Sequence, residues 1–208
     1  MKRHVTIVDD DNALRDSLGL LLRFRGYDVA EYGSGEDFLG DSNRVRPDCI
    51  ILDLKMPGIN GLDVLERWRS HDGTTPIIVV TAFGDISSAK TALRAGAFDF
   101  LEKPIDAEEM VGLLEQAVTK FDEAIAAESE RSAVYECLSR LTVRERQILD
   151  AVVECRHNRE IAADLGLSVR TVEVYKARIM EKMRVSRPAE LIRLFTRFAL
   201  PARSDASR

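Results

Sequence analysis

Five apolar runs of strand length, His4–Val8, Tyr27–Tyr32, Cys49–Leu52, Ile77–Val80 and Phe98–Leu101, recur through the first half of the chain. Between them lie segments whose apolar residues return every third or fourth position: Leu14, Leu18, Leu21 and Leu22, then Leu62, Leu65 and Trp68, then Ala89, Ala92, Leu93 and Gly96. Strictly alternating strand and helix leaves little choice of architecture. Crossovers through helices join parallel strands, and the helices then cover both faces of the sheet. The Ile-Ile-Leu and Ile-Ile-Val-Val runs are apolar at every position, as strands buried on both sides should be.

After Pro104 the pattern becomes helical: Met110, Leu113, Leu114, Ala117, Val118, Phe121 and Ile125 keep a spacing of three to four. A long helix, read from Asp106 to about Cys137, leaves the sheet domain. The stretch 124–132 is small and charged without Gly or Pro, which reads as a helical connector. A new apolar period begins at Leu141. Expected divisions are a first domain over 1–120, a helical linker over 121–138, a second domain over 139–200 and a disordered tail over 201–208.

Net charge of −5 averages two unlike halves. Residues 1–119 carry 13 Lys and Arg against 21 Asp and Glu, whereas 139–208 carry 15 against 9. Only the basic half suits a polyanion. Three scattered cysteines, Cys49, Cys137 and Cys155, lack C-x-x-C spacing and are expected to be buried free thiols, not a disulfide framework or a zinc site. The chain has no apolar run of about 18 residues and no signal-peptide pattern, so no membrane association and a cytoplasmic location are expected.

Asp9 and Asp10 follow the first strand and Asp53 follows the third, at the edge where open α/β sheets bind ligands. If those strands are neighbours, three like charges converge, which favours a cation. Clustered hard oxygens with room for water suit Mg²⁺, and the Lys55 carbonyl could complete the sphere. Thr81 and Lys103, at the ends of the fourth and fifth strands, would add a hydroxyl and an ammonium. Carboxylate nucleophile, cation, ammonium and hydroxyl are together what a phosphoryl group requires. Asp11 is expected to be a helix N-cap.

Val8-Asp9-Asp10-Asp11, Leu52-Asp53-Leu54-Lys55-Met56-Pro57-Gly58, Thr81-Ala82 and Lys103-Pro104 together resemble the receiver domain of bacterial two-component response regulators. The resemblance covers residues 1 to about 120. It implies a doubly wound, flavodoxin-like (βα)₅ fold and phosphorylation of Asp53 by a sensor histidine kinase. It further implies Mg²⁺ on Asp10, Asp53 and the Lys55 carbonyl with Asp9 assisting, and Lys103 on the phosphoryl oxygens. Thr81 and Phe100 would form the switch pair, and the Lys103-Pro104 bond would be cis.

In the basic half, Asn158–Leu165 ends at Gly166-Leu167, and Ser168 caps a second helix running through Met183, which is the spacing of a helix-turn-helix. At about 100° per residue, Val169, Val172, Ile179, Met180 and Met183 share one side, expected to be core. The other side carries Arg170, Thr171, Val174, Ala177, Arg178 and Glu181, with Val174 placed to meet thymine methyl groups. Lys176 falls near the buried edge, and Asn158 and Arg159 are candidate phosphate contacts. His4, His71 and His157 read as surface residues, Trp68 and Phe83 as packing residues.

Leu141-Thr142-x-Arg144-Glu145-Arg146, Glu160-Ile161-Ala162 and Ser168-x-Arg170-Thr171-Val172-Glu173-Val174 closely resemble the four-helix output domain of the LuxR type. Glu173 thereby joins the candidate DNA-binding set. Two departures stand out: Tyr175 replaces a frequent His, and Cys155-Arg156-His157 replaces a loop of small residues ending in Gly. The domain order is similar to the FixJ/NarL class. The resemblance implies an α/β plus all-α chain that dimerises on phosphorylation through the surface of residues 85–120, binds double-stranded promoter DNA and engages RNA polymerase. An aspartate-nucleophile phosphatase is disfavoured because Leu54-Lys55, not a second Asp, follows Asp53. The chain is therefore read as a non-enzyme with slow self-hydrolysis of the phosphoaspartate. A constitutive DNA-binding protein with a scaffold N-terminal domain is the other alternative.

Overall fold

A computed structural model describes residues 2–82 and 86–198. The chain divides into two compact units, Met1–Ala126 and Ala127–Arg208. The first alternates β1 (His4–Val8), α1 (Asn12–Phe24), β2 (Asp28–Tyr32), α2 (Gly35–Gly40), β3 (Cys49–Asp53), α3 (Gly61–His71), β4 (Ile77–Thr81), α4 (Ile86–Arg94) and β5 (Asp99–Glu102). All strand pairs are parallel, in the order β2-β1-β3-β4-β5. The expected strands are present, with ends shifted by one residue except at β1, which matches throughout.

Residue parity sorts the core onto two faces. Val5, Ile7, Cys49, Ile51, Ile78 and Val80 pack with Leu18 and Leu22 of α1 and with Met110, Leu114 and Ala117 beyond β5. Ile50, Leu52, Ile77 and Val79, one residue out of step, pack with Phe38 of α2 and with Val64, Leu65 and Trp68 of α3. Both central strands, β3 and β4, are buried at every position, as their uninterrupted apolar runs required.

Helix starts follow local chemistry. The Asp11 side chain accepts from the amides of Ala13 and Leu14, Ser34 from Asp37, and Asn60 from Asp63, each relieving an orphan donor of a first turn. A single helix, α5 (Ala107–Ser139), covers the stretch expected from Asp106 to Cys137.

The second unit contains the end of α5 with α6 (Val143–Val153), α7 (Asn158–Leu165), α8 (Val169–Lys182) and α9 (Pro188–Arg197). Its core gathers Ile148, Leu149, Ile161, Val172, Ile179, Met183, Leu191 and Phe195. Gly166 closes α7 with φ of 63°, a left-handed turn that glycine adopts without Cβ strain, and Ser168 opens α8 by accepting from the Thr171 amide.

Two expectations need correction. Cys155 is exposed, unlike buried Cys49 and Cys137, because it follows the last turn of α6 in a left-handed conformation, φ 59°, away from the core face. Val169 is 39% exposed. It sits in the first turn of α8 and borders a surface groove with Asn158, Arg159 and Lys176, instead of joining Val172 in the core. Trp68 packs as expected. Phe83, the tail 201–208 and the first residue of the 85–120 surface lie outside the described residues. No helix among the described residues is long and apolar enough to cross a membrane.

Candidate functional site

The register of β1 on β3 pairs Val8 with Leu52, so the next residues, Asp9 and Asp53, emerge side by side at the carboxyl edge. Asp9, Asp10 and Asp53 each offer an oxygen, all within 4.8 Å of one another. Asp9 and Asp53 are buried and Asp10 is exposed. Lys103 arrives from beyond β5: its amide donates to the Thr81 carbonyl at 2.8 Å, and its Nζ reaches Asp53 Oδ2 at 2.6 Å and Asp9 Oδ2 at 2.9 Å. The Lys103-Pro104 peptide bond is cis.

Burial pushes the Asp9 carboxyl above its ordinary range, against the opposing hydrogen bond from Lys103. Burial pulls Lys103 downward, but its hydrogen bonds to Asp53 and Asp9 outweigh this and hold the ammonium above its usual value. The Lys103 ammonium meets two of the three clustered carboxylates, those of Asp9 and Asp53.

The donor set fits a hard divalent cation. Octahedral Mg²⁺ at about 2.1 Å from its ligands spreads them by at most about 4.2 Å. One oxygen from each of Asp9, Asp10 and Asp53 lies within 4.8 Å of the other two, close enough for the three to converge on such an ion.

Thr81 is fully buried, and its hydroxyl has no hydrogen-bond partner among the described residues. The β4–β5 register pairs Val79 with Phe100, which places Phe100 and Thr81 on the same face of the sheet, and Phe100 is half-buried. A buried hydroxyl unpartnered among the described residues, at the same sheet edge as a carboxylate cluster, is chemically suited to an incoming oxyanion. The loop after Asp53 is held tightly: Lys55 N donates to Asp53 Oδ1 at 3.0 Å, and Gly61 N to the Leu54 carbonyl at 3.0 Å. A Cβ at Gly61 would collide with the Asp53 carbonyl.

Sequence reasoning missed two supports of this edge. The Arg15 guanidinium donates to the Asp9 carbonyl and to the Asn12 side chain, fixing the turn that carries Asp9 and Asp10. Glu36 Oε1 accepts from Ile59 N at 2.8 Å. An Arg one turn into α1 and a Glu after the Ser34 cap are visible in the sequence, but their contacts depend on loops that no periodicity places.

In the second unit, Arg170, Glu173, Val174, Ala177 and Arg178 form an exposed face of α8, and Val174 is 44% exposed. Thr171 is half-buried, its hydroxyl 2.8 Å from Ser168 Oγ. Half-buried Lys176 donates to Asn158 Oδ1 at 2.9 Å, tying the start of α7 to the middle of α8, while Arg159 stays exposed. Two contacts from α6 hold the helix pair. Arg144 donates to the Leu165 carbonyl at the end of α7. Buried Glu145 completes a capping box with Thr142 and accepts from Lys182 Nζ at 2.7 Å at the end of α8. Sequence reasoning took Thr142 and Glu145 only as part of a family motif and read neither the capping box nor the link to Lys182.

Comparison with known proteins agrees with both units. Residues 5–115 match the response regulator receiver domain, and residues 139–195 match the bacterial regulatory proteins of the luxR family. The transcriptional regulatory protein FixJ of Bradyrhizobium diazoefficiens is 34% identical over 94% of this chain and 96% of its own length. The tetrathionate response regulatory protein TtrR of Salmonella typhimurium is 36% identical over 95% of this chain and 94% of its own. Among solved structures, the response regulator StyR aligns with a TM-score of 0.79 at 32% identity, covering 95% of this chain and all of that one. Full-length FixJ from B. japonicum aligns at 0.60 and 33% identity, covering 97% and 99%. With a receiver pocket on the sheet edge of its first unit and a LuxR-type helix-turn-helix in its second, the chain belongs to the two-component response regulators that act as transcription factors.

Proposed function

We propose that Asp53 accepts a phosphoryl group from a sensor histidine kinase and that this state promotes dimerisation and binding of double-stranded promoter DNA. The observation that carries the reading is the joint placement of Lys103 on Asp53 and Asp9 with the unpartnered Thr81 hydroxyl buried nearby. An Asp53 carboxylate oxygen attacks phosphorus; the P–O bond forms as the P–N bond of phosphohistidine breaks, and its electron pair leaves on the imidazole nitrogen. Asp10, Asp53 and the Lys55 carbonyl, assisted by Asp9, would hold Mg²⁺, which supplies charge neutralisation between the carboxylates and the phosphoryl oxygens.

Lys103 turns from the carboxylates to a phosphoryl oxygen, and the Thr81 hydroxyl donates to another. Thr81 then moves toward the pocket and Phe100, on the same face, follows into the space it leaves. The changed surface, within residues 85–120, pairs two copies, and pairing raises the effective concentration of the second reader. The chain is a regulator, not an enzyme, with only slow self-hydrolysis of the acyl phosphate.

The receiver spans 1–120 and the reader 139–200, joined through 121–138. Arg170, Thr171, Glu173, Val174, Ala177 and Arg178 face the DNA, with Asn158 and Arg159 at its backbone, and RNA polymerase is a further partner. The test is Mg²⁺-dependent beryllofluoride binding to the full chain, followed by sedimentation and promoter binding. Saturable binding lost in Asp53→Ala, accompanied by dimer formation, supports the proposal. A chain that binds its promoter equally well as Asp53→Asn and in its phosphorylated form sinks it.

A further inference from the structure

We infer that Glu36 is a positioning residue for phosphoryl acceptance, holding from α2 the turn that follows Asp53; the inference rests on the reading of the pocket proposed above. The stretch from Lys55 to Asn60 belongs to neither strand nor helix, yet it carries the carbonyl assigned to the cation. Its two ends are fixed locally, by Lys55 N on Asp53 Oδ1 and by Gly61 N on the Leu54 carbonyl, both at 3.0 Å. Its tip is fixed from a different element: the Glu36 carboxylate accepts from Ile59 N at 2.8 Å.

Two further features make this contact specific. Gly58, just before Ile59, has φ of 76°, and a Cβ there would fall onto the Glu36 carboxylate. The carboxylate therefore lies against the backbone in the space a side chain would take. Glu36 is itself anchored, since Ser34 caps α2 and buried Gly35 packs where a Cβ would meet Val64 and the Ile59 carbonyl. The turn is thus clamped at its tip by an exposed acid that is not a member of the Asp9, Asp10 and Asp53 cluster. Releasing it leaves Asp53 in place and frees the Lys55 carbonyl to wander from the geometry that a small octahedral ion demands.

The experiment titrates full-length protein with Mg²⁺ alone by calorimetry and measures its rate of modification by acetyl phosphate. Glu36→Ala should weaken Mg²⁺ binding by about three- to tenfold, the range expected for one lost hydrogen bond, while the thermal midpoint without metal stays near wild type. Glu36→Gln keeps an acceptor oxygen of the same reach and should restore binding to within about twofold. Glu36→Asp keeps the charge but falls a methylene short, and should behave like Ala. Unchanged Mg²⁺ affinity in Glu36→Ala, or equal losses in the Ala and Gln variants, overturns the inference while leaving the pocket reading intact. A wild-type chain that takes up no Mg²⁺ overturns the pocket reading, and this inference with it.

Discussion

Lys103, beyond the end of β5, reaches across β4 to Asp53 at the end of β3, with Nζ 2.6 Å from Oδ2. The same ammonium binds Asp9 at 2.9 Å, so it partly does the work of a cation in that cluster. Replacing it by Ala removes a competitor for the carboxylates and adds one unit of uncompensated charge. Mg²⁺ affinity of Lys103→Ala should therefore rise, by roughly tenfold given a unit charge at this range in a partly solvated site, while the yield of acyl phosphate falls. Calorimetry and phosphoprotein gels measure the two effects separately.

Gly61 supports Asp53 by being small. Its amide donates to Leu54 while its α-carbon lies against the Asp53 carbonyl, where no Cβ fits. Gly61→Ala must push the start of α3 away from the phosphoacceptor strand. A loss of about 1–3 kcal/mol in urea unfolding is expected, together with loss of beryllofluoride binding. Wild-type binding in this variant would show that the loop has slack.

Glu145 and Lys182 give a pH signature to the DNA-binding unit. The hydrogen bond from Lys182, aided by the Thr142 amide, holds the Glu145 carboxyl below its ordinary range. A depressed carboxyl contributes stability that is complete above its unfolded value and is lost as pH falls through the lower, folded value. Glu145→Gln should cost about 1–2 kcal/mol at neutral pH, and its difference from wild type should shrink on acidification below about pH 4. Parallel thermal melts of the two proteins across that range provide the check. A constant difference would assign the effect to packing.

Val174 is exposed on α8 without contributing to the core. Val174→Ser should leave the melting temperature within a degree or two of wild type, since surface changes stay within about 0.5 kcal/mol. Discrimination between promoter and random DNA should fall, by about fivefold if one thymine methyl contact is lost. Arg159→Ala, by contrast, should weaken all DNA alike and reduce the salt slope by about one. Competition binding at several salt concentrations distinguishes the two patterns.

What was legible in the sequence followed from repetition and from short-range chemistry. Ile50, Ile51 and Leu52 announced a strand buried on both faces, and Ser168 and Gly166 announced a helix boundary, because each signal depends on neighbours in the chain. The carboxylates were findable because strand ends share one edge in an all-parallel sheet. Exposure of Cys155 and Val169 was not legible, since neither residue type nor a helical wheel shows which apolar positions neighbouring elements cover. Nor were Arg15 on the Asp9 carbonyl, Arg144 on Leu165 and Glu36 on Ile59, whose long or loop-borne contacts follow from how elements dock.

The strand order β2-β1-β3-β4-β5 has a consequence for how the pocket comes into being. Asp9 precedes α1, β2 and α2, Asp53 follows them, and Lys103 comes only after α3, β4, α4 and β5. No local fragment can contain the cluster, and a chain that stalls with any of these three strands unpaired lacks part of it. A ligand that needs all three side chains would select completed sheets by mass action and give no support to half-built ones. The pocket is then also a proofreader of its own assembly, open for business only once the last strand has docked.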